Sequence, residues 1–150
     1  MQINIFSIQK NVLDFKILSD KYIKLISNFA NIKDFFIFNN KINQAQKLGV
    51  SFAQKSYEEH LIPYKKNFCI ILHERGKKYN SLEFANIIKN KNEISFFIGG
   101  AFGFSEEFIK SFDMVISLSR MTLAHNLAKI ILLEQLYRAF CINSNHPYHK

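Results

Sequence analysis

Asn67 to Leu72 reads NFCIIL, a continuous apolar run of the kind expected when a strand is covered on both faces. Strands covered on both faces belong to parallel sheets with helices above and below, so this run narrows the choice of fold early. Its surroundings agree. Gln2 to Ile8 is a short β-rich segment. A helical pattern follows, with Val12, Phe15, Leu18, Tyr22, Leu25, Ile26 and Phe29 on one face. Asp34 to Phe38 predicts a second strand, and a polar helix is expected from about Lys41 to His60, stopped by Pro63. After the NFCIIL strand, Ser81 and Glu83 open a helix, Ile94 to Ile98 is another buried strand, and Ser105 caps a short helix. Met114 to Leu118 is a last strand, and a final helix is expected from about Thr122 to Cys141. Strand and helix alternate throughout, which predicts an α/β fold: a mostly parallel sheet with helices on both faces.

No repeat, linker or low-complexity tract interrupts the pattern, so the 150 residues are expected to form one domain. No apolar run approaches a membrane span, and the start MQINIFSIQK lacks the basic region of a signal peptide. Cys69 and Cys141 both sit in apolar runs, as expected of buried thiols in a reduced, cytoplasmic protein. Twenty Lys and Arg against twelve Asp and Glu leave a formal charge of +8. An excess of that size favours a polyanionic partner through phosphate neutralisation.

In parallel sheets, ligands bind beyond the carboxyl ends of the strands. Three such ends coincide here with polar, turn-rich segments: Leu72 to Lys77, Gly99 to Ser105, and Leu118 to Thr122. The Gly-Gly-Ala-Phe-Gly run has neither the spacing of a dinucleotide fingerprint nor the Lys-Ser/Thr of a P-loop. Its glycines either permit a tight turn or let backbone amides approach a flat ligand. Ser119 and Thr122 either satisfy a turn and cap the last helix, or belong to a loop whose backbone reads a purine edge. From Leu127 to Phe140 the last helix is apolar over more than one face, more than a terminal helix is expected to cover with its own chain. A second subunit is the simplest source of cover. Within the tail, Pro147 separates His146 from His149, and no Cys or acidic cluster completes a metal ligand set.

Taken together, Leu72-x-x-x-Gly76-Lys77 with Ser81 and Phe84-Ala85, Ile98-Gly99-Gly100-x-x-Gly103, LSRMTLAH, LLEQLYRAF and the closing YHK resemble one family. It is the small SPOUT-class methyltransferases of the bacterial large ribosomal subunit, which methylate N3 of a pseudouridine in a 23S rRNA hairpin loop. The resemblance spans essentially the whole chain. It implies a C-terminal trefoil knot, a rare exception to unknotted topology, an obligate homodimer, and S-adenosylmethionine bound in a bent form within the knot. It further implies that Leu72, Gly99, Gly100, Gly103, Leu118, Ser119, Arg120, Met121, Thr122 and Leu123 hold the cofactor. Arg138, Tyr148 and His149 would face the target base within the 23S rRNA of the large subunit or the 70S ribosome. His73, Ala124 and Lys129 depart from the family's more common acidic residue, Pro and Arg. Two other readings stay open: a non-catalytic RNA-binding or ribosome assembly factor that kept the fold, and a SPOUT enzyme acting on tRNA ribose hydroxyls.

Overall fold

A computed structural model describes all of residues 1–150. Five strands, β1 (Gln2–Ser7), β2 (Asn31–Phe36), β3 (Phe68–Lys78), β4 (Glu93–Ile98) and β5 (Met114–Ser117), form one sheet in the order β2-β1-β4-β3-β5. Every pairing is parallel. Six helices connect them: α1 (Lys16–Ile26), α2 (Asn40–Leu48), α3 (Val50–Leu61), α4 (Ser81–Ile88), α5 (Glu106–Lys110) and α6 (His125–Asn143).

Strand alternation sorts the core into two layers. Ile3, Ile5, Ile70, Ile94 and Phe96 pack with residues of α1, α4 and α6. Phe6, Cys69, Ile71 and Phe97 pack with residues of α2, α3 and α5. Burying each such side chain stabilises by roughly 1.5–3 kcal/mol, and the sheet's centre is where that gain is concentrated. Helices on both faces follow directly from strands whose two sides are both apolar.

Several boundaries differ from the sequence expectation, each for a local reason. The helix expected over Lys41 to His60 is two helices, because Gly49 at φ 130° takes a conformation that L side chains rarely adopt. Asn39 caps the first by accepting from the Ile42 N–H, and Gln46 Nε2 donates to Tyr57 Oη at 2.6 Å to tie the pair together. The second strand starts at Asn31, ahead of its apolar core, because its ladder with β1 begins at Gln2. The helix after β3 is capped by Asn80, with Glu83 returning the bond in a capping box, rather than by Ser81.

The largest difference lies in β3. It does not end at Leu72 but runs to Lys78, pairing with β5 twice: Ile70 to Leu72 against Met114 to Ile116, then Lys77 and Lys78 against Ile116 and Ser117. The register breaks between, so His73 to Gly76 bulge out of the ladder. Gly76 is required there by proximity: a Cβ would lie 2.6 Å from the Ile116 carbonyl carbon.

Helix α6 also departs from expectation. It starts at His125, leaving 118–124 as a loop, and it packs against α1 and α4. Leu132, Leu133, Leu136, Ala139, Phe140 and Cys141 are buried by this chain alone. The apolar girdle therefore needs less outside cover than its composition implies. What stays uncovered is Leu127, at 45% exposure, near a surface on which Leu13 and Ile17 are 80% and 82% exposed. Val12 and Phe15 share a narrow cleft with Asn126 and Lys129, which sets that surface beside the first turns of α6.

Candidate active site

A cavity of about 610 Å³ opens where β3 bulges after Leu72 and at the carboxyl ends of β4 and β5. Its size is that of a small-molecule site. The bulge after Leu72 forms one wall, the glycine loop after Ile98 a second, and the loop from Ser117 into the first turn of α6 a third. Of the ten candidate cofactor residues, Leu72, Gly99, Gly100, Gly103, Leu118, Ser119, Met121, Thr122 and Leu123 line it. Arg120 does not; it is exposed outside the lining.

Polar bonds fix the walls to one another. Thr122 Oγ1 donates to Glu74 at 2.8 Å, joining the β3 bulge to the loop after β5. That loop is braced internally: Ser117 Oγ donates to the Ser119 carbonyl, and the Met121 N–H donates to Ser119 Oγ. Gln54 Nε2 of α3 donates to the Phe102 carbonyl at 3.0 Å, and the Ser105 N–H donates to Glu58 at 2.8 Å, so α3 carries the glycine loop.

The glycines have internal reasons for being glycine. A Cβ on Gly99 would lie 2.9 Å from the Phe104 ring, and one on Gly100 would lie 2.9 Å from Ile8 and Tyr57. Gly103 has open space but sits at φ 64°, in the left-handed region. The space beside Gly99 and Gly100 is filled by protein, and their compression against the core gives the loop its shape.

His125 lines the cavity too, and burial pushes its imidazole below the usual value, so it is neutral at pH 7. It is the first residue of α6. Gln54 carried no sequence signal: it is one polar residue among many on a polar helix, and only its reach across to the glycine loop sets it apart.

Arg138, Tyr148 and His149 come together, but elsewhere. Glu134 is their hub: Arg138 Nη2 and Nε donate to its Oε1 at 2.6 and 3.0 Å, and Tyr148 Oη donates to the same oxygen at 3.0 Å. Arg138 Nη1 lies 3.4 Å from His149 Nδ1, which can only accept from it. The Arg138 guanidinium lies over the Tyr148 ring at 4.8 Å, and the Tyr137 ring meets Tyr148 at a tilt of 59° with centroids 4.7 Å apart. Burial, and then the bond to Glu134, push the Tyr148 phenol up to about 12, so it is a donor and not a base at neutral pH. Arg138 lies about thirteen residues along α6 from His125, roughly 20 Å at 1.5 Å per residue. None of the three touches the cavity of its own chain.

Lys129 is buried at 2% exposure, with its Nζ 2.5 Å from Asp34 Oδ1 and 3.5 Å from the centre of the Phe36 ring. It is neither an interface nor an RNA-contact side chain. No group of three or more His, Cys, Asp or Glu is placed to hold a metal ion, and no helix is long and apolar enough to cross a membrane.

The family model described as "Predicted SPOUT methyltransferase" matches residues 1–149. Proteins named ribosomal RNA large subunit methyltransferase H are similar along the whole chain. That of Campylobacter jejuni is 59% identical over 150 residues, covering all of both chains. That of Campylobacter hominis is 49% identical over 99% of each. Among solved structures, a candidate RNA methyltransferase from Bacillus anthracis superposes with a TM-score of 0.55 at 15% identity, over 99% of this chain and 98% of its own. A candidate methyltransferase from Legionella pneumophila, solved in complex with bound SAM, gives a TM-score of 0.52 at 18% identity, over 91% of this chain and 65% of its own. A parallel sheet with its cavity at the β3 bulge and the carboxyl ends of β4 and β5, in a chain matched along its length by the family model and the Campylobacter relatives, places the protein in the SPOUT methyltransferase family, among the large-subunit ribosomal RNA methyltransferases H.

Proposed function

We propose that residues 1–150 act as one catalytic domain that methylates N3 of a pseudouridine in a 23S rRNA hairpin loop, within the assembled large subunit or the 70S ribosome, using S-adenosylmethionine. The observation that carries this reading is the convergence of nine of the ten candidate cofactor positions on one cavity. The cavity suits the cofactor chemically: apolar walls from Ile98, Leu118 and Leu123 for a flat heterocycle, backbone-rich loops for its polar edge, and charged side chains at the rim. The +8 charge supports a polyanionic partner. We further propose that the loop and helix after β5 are threaded as a trefoil knot. The double pairing of β3 with β5 and the close approach of Gly76 to the Ile116 backbone support that path.

The division of labour follows from the two clusters. The cofactor supplies an electrophilic methyl on a sulfonium, so the chain's own task is to hold the base in line and manage its proton. The imide N–H is a weak acid, and His149 would take its proton at Nδ1 by exchanging its contact with Arg138 for one with the base. Arg138 favours the resulting anion, and Tyr148 contributes a donor and a stacking face. Because ten residues of α6, roughly 15 Å, separate Arg138 from Ala128 of the cavity wall, and none of the three groups lines the cavity, the working site takes its cofactor loops from one protomer and its tail from another. The protein is thus proposed to be a homodimer through the exposed apolar surface of Leu13, Ile17 and Leu127.

Two measurements test this. Purified protein with methyl-labelled S-adenosylmethionine should label large subunits or 70S ribosomes at a single pseudouridine, mapped by mass spectrometry of nuclease fragments. Cofactor binding without any rRNA labelling would favour an assembly factor, and labelling of free tRNA would favour the ribose-directed reading. Separately, Leu13→Glu with Ile17→Glu should yield monomers in sedimentation that bind cofactor but have lost methyl transfer at least about 100-fold. A monomer of wild-type activity would exclude the shared site.

A further inference from the structure

The cavity's charge is concentrated in two neighbouring residues. Of its 21 lining residues, Arg75 is the only Lys or Arg, and Glu74 the only Asp or Glu. Both belong to the bulge that the register break throws out of β3 and both are exposed, while Ile98, Leu118 and Leu123 supply an apolar wall. A ligand with a flat apolar end and a zwitterionic end has one way to lie in such a space that meets both requirements. On the proposed function, that ligand is S-adenosylmethionine, whose amino-acid end carries one carboxylate.

Arg75 is arranged to receive it. Its guanidinium is bonded through Nη2 to Glu106 at the start of α5, leaving Nη1 and Nε as donors. Both members of that ion pair are mostly exposed, at 67% and 62%, and a pair of that kind is weak enough to exchange. Glu106 does not line the cavity, so the pair ties the β3 bulge to the start of the helix that follows the glycine loop. The bulge is stiffened beneath it by the Arg75 N–H donating to His73 Nδ1 at 3.2 Å and by the Glu74–Thr122 bond. A carboxylate entering at the rim meets a planar fork of free N–H donors, the geometry that Arg offers and Lys does not.

We propose that Arg75 is the specificity residue for the α-carboxylate of the cofactor's amino-acid end, held in place before binding by Glu106; this rests on the cofactor reading above. The test compares S-adenosylmethionine with its decarboxylated analogue, which lacks only that carboxylate, by calorimetry on the full chain. Wild-type protein should bind S-adenosylmethionine at least about tenfold more tightly than the analogue. Arg75→Gln should weaken S-adenosylmethionine by about that factor while leaving the analogue unchanged, so that the two bind alike. Arg75→Lys should recover only part of the preference, and Glu106→Gln should weaken S-adenosylmethionine severalfold while leaving the analogue unchanged, because the guanidinium is no longer held. If Arg75→Gln keeps the wild-type preference, or loses both ligands equally, the assignment of Arg75 is wrong although the cofactor reading stands. If wild-type protein binds neither ligand, the cofactor reading itself fails and this assignment with it.

Discussion

Deleting Tyr148 to Lys150 will abolish methyl transfer, by about 100-fold or more, while cofactor affinity changes by less than about threefold. The removed groups sit on the Glu134–Arg138 hub and not in the cavity, so the loss falls on turnover and not on binding. His149→Ala should reproduce most of it, and Tyr148→Phe less, since the phenol contributes a donor and not a base. The sharper form of the experiment uses mixed dimers. Co-expressed with a second chain whose cavity is blocked by Leu118→Trp, the truncated chain should regain activity, because the heterodimer holds one intact cavity facing one intact tail. Each chain alone should stay inactive. Recovery absent in a purified heterodimer would mean that cavity and tail must belong to one chain. A truncated protein with wild-type turnover would show the tail to be an inert end.

The second large effect concerns stability. Lys129→Met should destabilise the protein by about 3–5 kcal/mol, because it leaves the Asp34 carboxylate buried without its partner. Asp34→Leu should cost a similar amount from the other side, by leaving the Lys129 ammonium buried alone. Burial raises the Asp34 carboxyl and lowers the Lys129 ammonium, each opposed by the other's charge, so the environment disfavours both ions and tolerates them only as a pair. The double variant Lys129→Met with Asp34→Leu should therefore recover most of the loss. Urea unfolding of the four proteins measures the coupling directly. Additive losses would show that the two charges are independently solvated. The pair joins the first turns of α6 to β2 and lies one residue from Ala128 of the cavity wall, so the single variants should also loosen the cofactor site.

Much of the architecture was legible because apolar patterning is a local property. NFCIIL and EISFFI are strands buried on both faces wherever they occur in a parallel sheet, and the alternation between strand and helix specified the layers. The helix break at Gly49 was less legible, because a glycine inside a polar helical pattern carries the same letter whether it is tolerated or used to turn the chain. The continuation of β3 past Leu72 was invisible: HERGKK is polar and charged, and it is a strand only because β5 offers it an edge.

For the candidate site, the sequence by itself determined which three loops border the cavity, since polar turns that follow buried parallel strands lie along one edge of the sheet. It determined the family too, through the order and spacing of short motifs that reach from Leu72 to the closing Tyr-His-Lys. What only the tertiary structure decided is which residues meet. It separated Arg138, Tyr148 and His149 from the cavity, because a helix of nineteen residues holds its two ends apart. It left Arg120 outside the lining and brought Gln54, Arg75 and His125 in. It buried Lys129 against Asp34, two residues 95 positions apart whose pairing no local pattern encodes. Periodicity reports which face of an element is buried, and the packing of elements against one another, set by long-range complementarity, decides which side chains share a space.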